Sequence, residues 1–360
     1  MVISFLVFKN LNRSTQLLLM GYATTSSYPT TGTTNGSAAA KLRATSTVSS
    51  LSRRLGARVP KQLRYLADMS TPYAPQTDVP YFWDIHMAGE TVAESVFYKC
   101  HGLVQACEHG LKQPDFQANQ LQVFENPKGN TGELYVNVDM RSKQGIQRAK
   151  KLGLTKQKAS NNNNNKMLSD MVVISPQLHW IASLLLDKQH KGRFFALIRN
   201  PIDRAVSMYH YLGKASWDPH YNPKLNSMSL EYYATKSGAV ENNWMTRFLV
   251  DKHGGPLTRS DMLVAKETLR TKCLIGLFED LEASLERFQL YFGWPGGDDA
   301  KQCRSAVVQT GDFRLTHPEL PTTSETYKAL LRANQWDMEL YNYAKTLYKI
   351  QGEQVFGLTD

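Results

Sequence analysis

An apolar run, Phe195-Ala196-Leu197-Ile198, ends in Arg199, and Asn200-Pro201 follows at once. Helical spacing then carries Asp203 through Lys214 and places Ser207 eight residues after the arginine. Pro201 suits a first helical turn, where no backbone donor is needed. The pattern predicts a buried strand over Arg193–Arg199, with Arg199 at its carboxyl end and Ser207 in the helix that leaves it. In an open α/β sheet, ligands bind at that edge. An arginine fork and a hydroxyl meeting there can hold a phosphate through charge-assisted hydrogen bonds. For so short a pattern, a strand–turn–helix joint with a surface arginine is the plainer alternative.

The same alternation recurs along the chain. Tyr81–Ile85, Leu134–Val138, Met171–Ile174 and Cys273–Leu277 read as short apolar strands. Helical spacing covers Thr91–Gly110, His179–Leu186 and Asp280–Phe292, the last stopped by Gly293. Ser324–Lys349 reads as one closing helix or two. Short continuous apolar runs separated by helices imply a parallel sheet covered on both faces. The folded body is expected from Val79 to about residue 352, with residues 1–75 as leader and linker. Asn161–Asn165 marks residues 155–169 as a polar surface insert.

Arg-x-Pro-x-x-Arg-x-x-Ser after an apolar strand resembles the 3′-phosphate-binding segment of sulfotransferases. The resemblance implies a P-loop NTPase-like, doubly wound α/β domain. It implies 3′-phosphoadenosine 5′-phosphosulfate (PAPS) as co-substrate, a hydroxylated acceptor such as a carbohydrate, and no metal. Arg199 and Ser207 would grip the 3′-phosphate, and Arg204 would support the helix or the sheet edge. Three other stretches are similar to later segments of Golgi-type carbohydrate sulfotransferases: Glu241–Leu249, Gly276–Leu281 and Asp337–Ala344. Alone, each of the three also fits a core or capping pattern shared by many α/β proteins.

Luminal sulfotransferases cradle the 5′-phosphosulfate in a first loop reading His-Ile-Pro-Lys-x-Gly-Gly-Thr-Thr. The matching stretch here is Asp84-Ile85-His86-Met87-Ala88-Gly89-Glu90-Thr91-Val92. Ala88, Gly89 and Thr91 keep the cradle, but Met87 stands at the lysine position and Glu90 at the second glycine. A lost preorganised charge can cost on the order of 10²–10³ in rate. Glu90 adds like charge beside a phosphate site unless it points to solvent or caps the helix. His86 offers a replacement charge, or is an ordinary loop histidine. Transfer to a hydroxyl needs a proton acceptor. His179, just past a strand end, and Glu90 are the candidates; a packing histidine beside Trp180 is the alternative for His179. Two functions therefore stand open. One is a PAPS-dependent sulfotransferase. The other is a catalytically impaired relative that binds 3′-phosphoadenosine nucleotide, or a partner, without sulfate transfer. No Gly-x-x-x-x-Gly-Lys-Ser/Thr supports a P-loop kinase or hydrolase.

The net charge of +10 describes the leader rather than the body. Residues 1–67 hold nine Lys or Arg and no acid, and the remainder holds 33 bases and 32 acids. No basic run interleaved with aromatics argues for nucleic acid. An acid-free, Ser-rich start reads as an organelle-targeting segment, a disordered tail, or a poor Golgi or secretory signal. Its apolar stretches are too short to span a bilayer, so membrane association rests on the leader alone. Cys100, Cys107, Cys273 and Cys303 lack metal-site spacing; their even count permits two disulfides in a luminal chain, and buried or free thiols are the first expectation.

Overall fold

The computed structural model describes residues 56–112, 118–126, 132–159, 170–216, 218, 220–310 and 319–358. Residues 1–55 of the leader and residues 160–169 of the insert lie outside the described residues. The first half of the chain runs β1 (Val79–Trp83), α1 (Glu90–Lys99), β2 (Val104–Ala106), β3 (Val123–Glu125) and β4 (Leu134–Val136). Then come α2 (Lys143–Lys151), β5 (Met171–Ser175), β6 (Gly192–Ile198) and α3 (Pro201–Lys214). Next are α4 (Leu230–Thr235), α5 (Trp244–Val250), α6 (Arg259–Lys272) and β7 (Cys273–Leu277). The chain closes with α7 (Leu281–Phe292), α8 (Asp298–Thr310), α9 (Glu325–Ala333) and α10 (Gln335–Phe356).

Among the described residues, seven strands form one sheet in the order β3-β4-β2-β5-β1-β6-β7. Only the β3–β4 pair is antiparallel. The result is an α/β sandwich compatible with Rossmann-like or P-loop-like folds. Alternation along β6 explains its unbroken apolar run. Phe194, Ala196 and Ile198 enter one core with Trp83, Met245 and Leu340. Phe195 and Leu197 enter the other with Val92, Phe97 and Phe288. A strand buried on both faces has no polar side to show. From β1 the chain first builds β2 to β5 on one side, then crosses to β6 on the other. Such a switch point opens a crevice at the carboxyl ends of its strands.

Several boundaries differ from the sequence reading. Thr91–Gly110 does not run as one helix: α1 ends at Lys99, Gly102 takes φ +64°, and β2 begins at Val104. The segment His179–Leu186 is a helical turn, Leu178–Trp180, that widens into a π-helical turn, Ile181–Leu185. The closing helix is two, parted at Asn334. Within residues 1–75, expected as leader and linker, Leu63 and Leu66 are buried in the core, and Leu66 bridges Gly192. The four-thiol expectation is corrected by a disulfide, Cys100–Cys303, which ties the end of α1 to α8. Cys107 and Cys273 are buried thiols. A pairing across 203 residues follows from α1 and α8 packing together, and no local spacing announces it. No helix of the described residues is long and apolar enough to cross a membrane.

Candidate functional site

The loop from β1 to α1 is shaped by two left-handed residues, Met87 at φ +60° and Gly89 at φ +95°. Glycine is required at the second. A Cβ there would meet the Phe278 ring at 2.8 Å, on a backbone conformation that side chains disfavour. Glu90, the first residue of α1, turns its carboxylate back into the loop. Met87 N–H donates to Oε1 and Ala88 N–H to Oε2, both at 3.1 Å. Glu90 is 4% exposed. It therefore neither points to solvent nor caps the first turn of α1, whose N-cap Gly89 offers no side chain. Two amides that would receive an anion are held by the chain's own carboxylate. Ala88 is buried beneath, and Thr91 is exposed at the helix start.

Arg199 leaves the carboxyl end of β6, where Asn200 caps α3 by accepting from Ile202 N–H at 2.9 Å. Its guanidinium lies 4.3 Å over the Phe278 ring, and Nη1 donates to Met87 O at 2.9 Å. It is 7% exposed, and Nε has no hydrogen-bond partner. Burial pulls its pKa down from the ordinary guanidinium value, while Asp203, Glu90 and Glu279 push it back up. A guanidinium stays charged through shifts of this kind. Ser207, on the second turn of α3, is fully buried, and its Oγ also lacks a partner. Among the described residues no hydrogen bond joins it to Arg199. A buried polar group left unmade costs about 1–3 kcal/mol, so each asks for an explanation.

A brace stands behind the site. Arg204 Nη2 pairs with Glu241 at 2.8 Å, and its guanidinium lies 5.6 Å from the Trp244 ring. Asn243 Oδ1 accepts from Trp336 N–H at 2.8 Å and Asp337 N–H at 3.1 Å. Asp337 answers by accepting from Met245 N–H, Thr246 N–H and Thr246 Oγ1 at 2.7–2.9 Å. Burial raises the Asp337 pKa, opposed by Arg204 and these hydrogen bonds. Two of the stretches singled out in the sequence, Glu241–Leu249 and Asp337–Ala344, are thus reciprocal helix caps. Trp244 belongs to the core, stacked on Trp83 and Phe248.

Asp84, His86 and Glu90 each bring one ligand-type atom to within 4.8 Å of the others, all buried. Arg141 already balances Asp84 at 3.0 Å and also pairs with Glu108. With Arg199 beside Glu90, this is a compensated charge cluster. His86 and Met87 also line a cavity of about 100 Å³, walled by Met208, Tyr211, Asp218 and Glu241. Sequence reading missed Tyr211 and Asp218, because a wall assembled from a loop and one helix face has no period of its own. Phe278 was missed too, although Gly276–Leu281 had drawn attention to its strand end.

His179 stands elsewhere at the same edge. Its Nε2 donates to Leu249 O at 3.1 Å, and Nδ1 is buried without a partner. Burial lowers its pKa below 6.5. The hydrogen bonds that join the loop, Glu90 and Arg199 do not include it. The structure thus brings Gly89, Glu90, Ala88, His86 and Arg199 together around one loop, with Ser207 in the adjoining helix. Comparison of the chain with family models, curated proteins and solved structures gave no match.

Proposed function

We propose that this is a sulfotransferase-fold protein that holds a 3′-phosphoadenosine nucleotide at the carboxyl edge of β1 and β6. One observation carries the reading: the two residues that the resemblance assigns to the 3′-phosphate, Arg199 and Ser207, each hold a buried polar atom, Nε and Oγ, with no partner among the described residues. A phosphate monoester supplies the acceptors both need. Ser207 is fully covered, so a ligand reaches it only when the residues packed over it move aside. The order β2-β5-β1-β6-β7, with the anion loop after its central strand, supports the P-loop-like form of the fold. The Cys100–Cys303 disulfide supports an oxidising compartment such as the secretory lumen.

Two activities fit such a site. In transfer, the acceptor hydroxyl oxygen bonds to sulfur, the bond from sulfur to the 5′-phosphate oxygen breaks, and the bisphosphate leaves. The hydroxyl proton goes to a base; the sequence candidates His179 and Glu90 do not line the cavity, whereas His86, read from the sequence as a replacement charge, does. A carbohydrate hydroxyl is the acceptor that the resemblance implies. In the second activity nucleotide is held without transfer. The hydrogen bonds of Glu90 favour the second: they place negative charge in the loop where Met87 has already removed a positive one. The test is calorimetry of adenosine nucleotides with the full chain and with Arg199→Ala, followed by incubation with PAPS and hydroxylated glycosides. The expected result is binding lost in the variant and no sulfated product. Equal binding by both proteins would remove the nucleotide site. A sulfated product would restore the enzyme.

A further inference from the structure

We infer that Glu90 sets the ligand class of this site: it selects a nucleoside 3′-phosphate with a free 5′-hydroxyl over a 3′,5′-bisphosphate. The inference rests on the nucleotide reading above. The loop is built as an anion nest, with left-handed residues turning successive amides inward. An anion is already there. The two Glu90 oxygens accept from Met87 N–H and Ala88 N–H, much as two oxygens of a 5′-phosphate would. Glu90 is buried, and Arg199 lies beside it with Nη1 on the loop's Met87 carbonyl. The Arg199 charge therefore already feels the Glu90 carboxylate. A 5′-phosphate brought to the same amides must displace Glu90 or lie against it, with no lysine to offset the second anion. A 5′-hydroxyl meets neither cost, and it can donate a hydrogen bond to the carboxylate. The 3′ end is untouched, since Arg199 Nε and Ser207 Oγ have no partner among the described residues. One half of the site thus asks for a phosphate and the other supplies its own.

Calorimetry of the full chain with adenosine 3′-phosphate, adenosine 5′-phosphate and adenosine 3′,5′-bisphosphate tests this, beside Glu90→Gln, Glu90→Ala and Arg199→Ala. The wild type is expected to bind the 3′-phosphate about tenfold or more tightly than the bisphosphate, a gap of about 1.4 kcal/mol. Either Glu90 variant should narrow or reverse that ratio, and Arg199→Ala should lose both ligands. A wild type that prefers the bisphosphate, or a ratio unchanged in a folded Glu90 variant, overturns the role of Glu90 and leaves the nucleotide reading standing. Preference for the 5′-phosphate does the same. If no nucleotide binds to the wild type or to either Glu90 variant, the nucleotide reading falls and this inference falls with it. Should both Glu90 variants fail to fold, the wild-type ratio alone decides.

Discussion

Strand β6 carries an arginine at each end, and the two live differently. Arg193, at the amino end, is saturated. Its Nε pairs with Asp78 at 2.6 Å. Its Nη1 donates to Asp68 O, Thr71 O and Tyr291 Oη at 2.8–3.2 Å. Its Nη2 reaches Thr71 Oγ1 and Pro72 O. Arg199, 7% exposed and thus nearly as buried, donates among the described residues only to Met87 O and rests on a phenyl ring. Same strand, same side chain, similar burial: what differs is how much bonding capacity the fold consumes. The amino end spends its arginine on fastening the stretch from Asp68 to Asp78. The carboxyl end leaves Arg199 Nε without a partner among the described residues, which is the capacity the proposed site would use.

Breaking the saturated end should have the largest effect. Arg193→Leu leaves Asp78 buried and uncompensated, which typically costs about 3–5 kcal/mol. Urea midpoints of wild type and variant measure it. A loss under about 1 kcal/mol would mean that water reaches Asp78 and that the two ends are alike.

The saturated end was also the less legible one in the sequence. Strands β6 and β7 were readable because burial on both faces leaves a continuous apolar run. Arg193 at the start of such a run carries no sign of its partners, which come from Asp68, Thr71, Pro72 and Asp78 in a stretch with a linker's composition. At the other end, Arg199 and Ser207 were readable from spacing around Asn200-Pro201. The direction of Glu90 was not. It depends on left-handed backbone at Met87, a residue type that rarely adopts it. β2 was hidden because its three residues continue the helical spacing read over Thr91–Gly110. The Cys100–Cys303 pairing needs the tertiary packing of α1 on α8, which sequence patterns do not contain.

Two substitutions at the carboxyl end should cost less than Arg193→Leu, and in order. Gly89→Ala forces a Cβ toward the Phe278 ring at φ +95°, a strain of about 1–3 kcal/mol. Thermal unfolding should show it, and Phe278→Ala in the same chain should relieve the steric part and leave the backbone part. Arg199→Ala removes one hydrogen bond and a ring contact but also an imperfectly solvated charge, so stability should change by about 1 kcal/mol or less. A large loss there would make Arg199 a second Arg193, a fastening rather than a binding residue.

The smallest expected effect is a pH dependence at the same edge. Burial holds the folded His179 pKa below 6.5, against the opposing pull of Asp251 and its bond to Leu249 O. The unfolded chain takes a proton near 6.5 and the folded chain does not until lower pH. The stability this neutral histidine contributes is therefore complete above 6.5 and lost as pH falls toward its folded pKa. His101, buried and bonded to Pro295 O, acts in the same direction. Thermal midpoints should drop between about pH 7.5 and about pH 5.5, and drop less in His179→Gln. An equal drop in both proteins would mean that the folded chain protonates His179 readily. Nδ1 would then be reachable, and His179 would return as a base beside His86. A smaller drop in the variant keeps it with the structural groups, leaving the loop, Arg199 and Ser207 as the part of this edge that still has chemistry to offer a ligand.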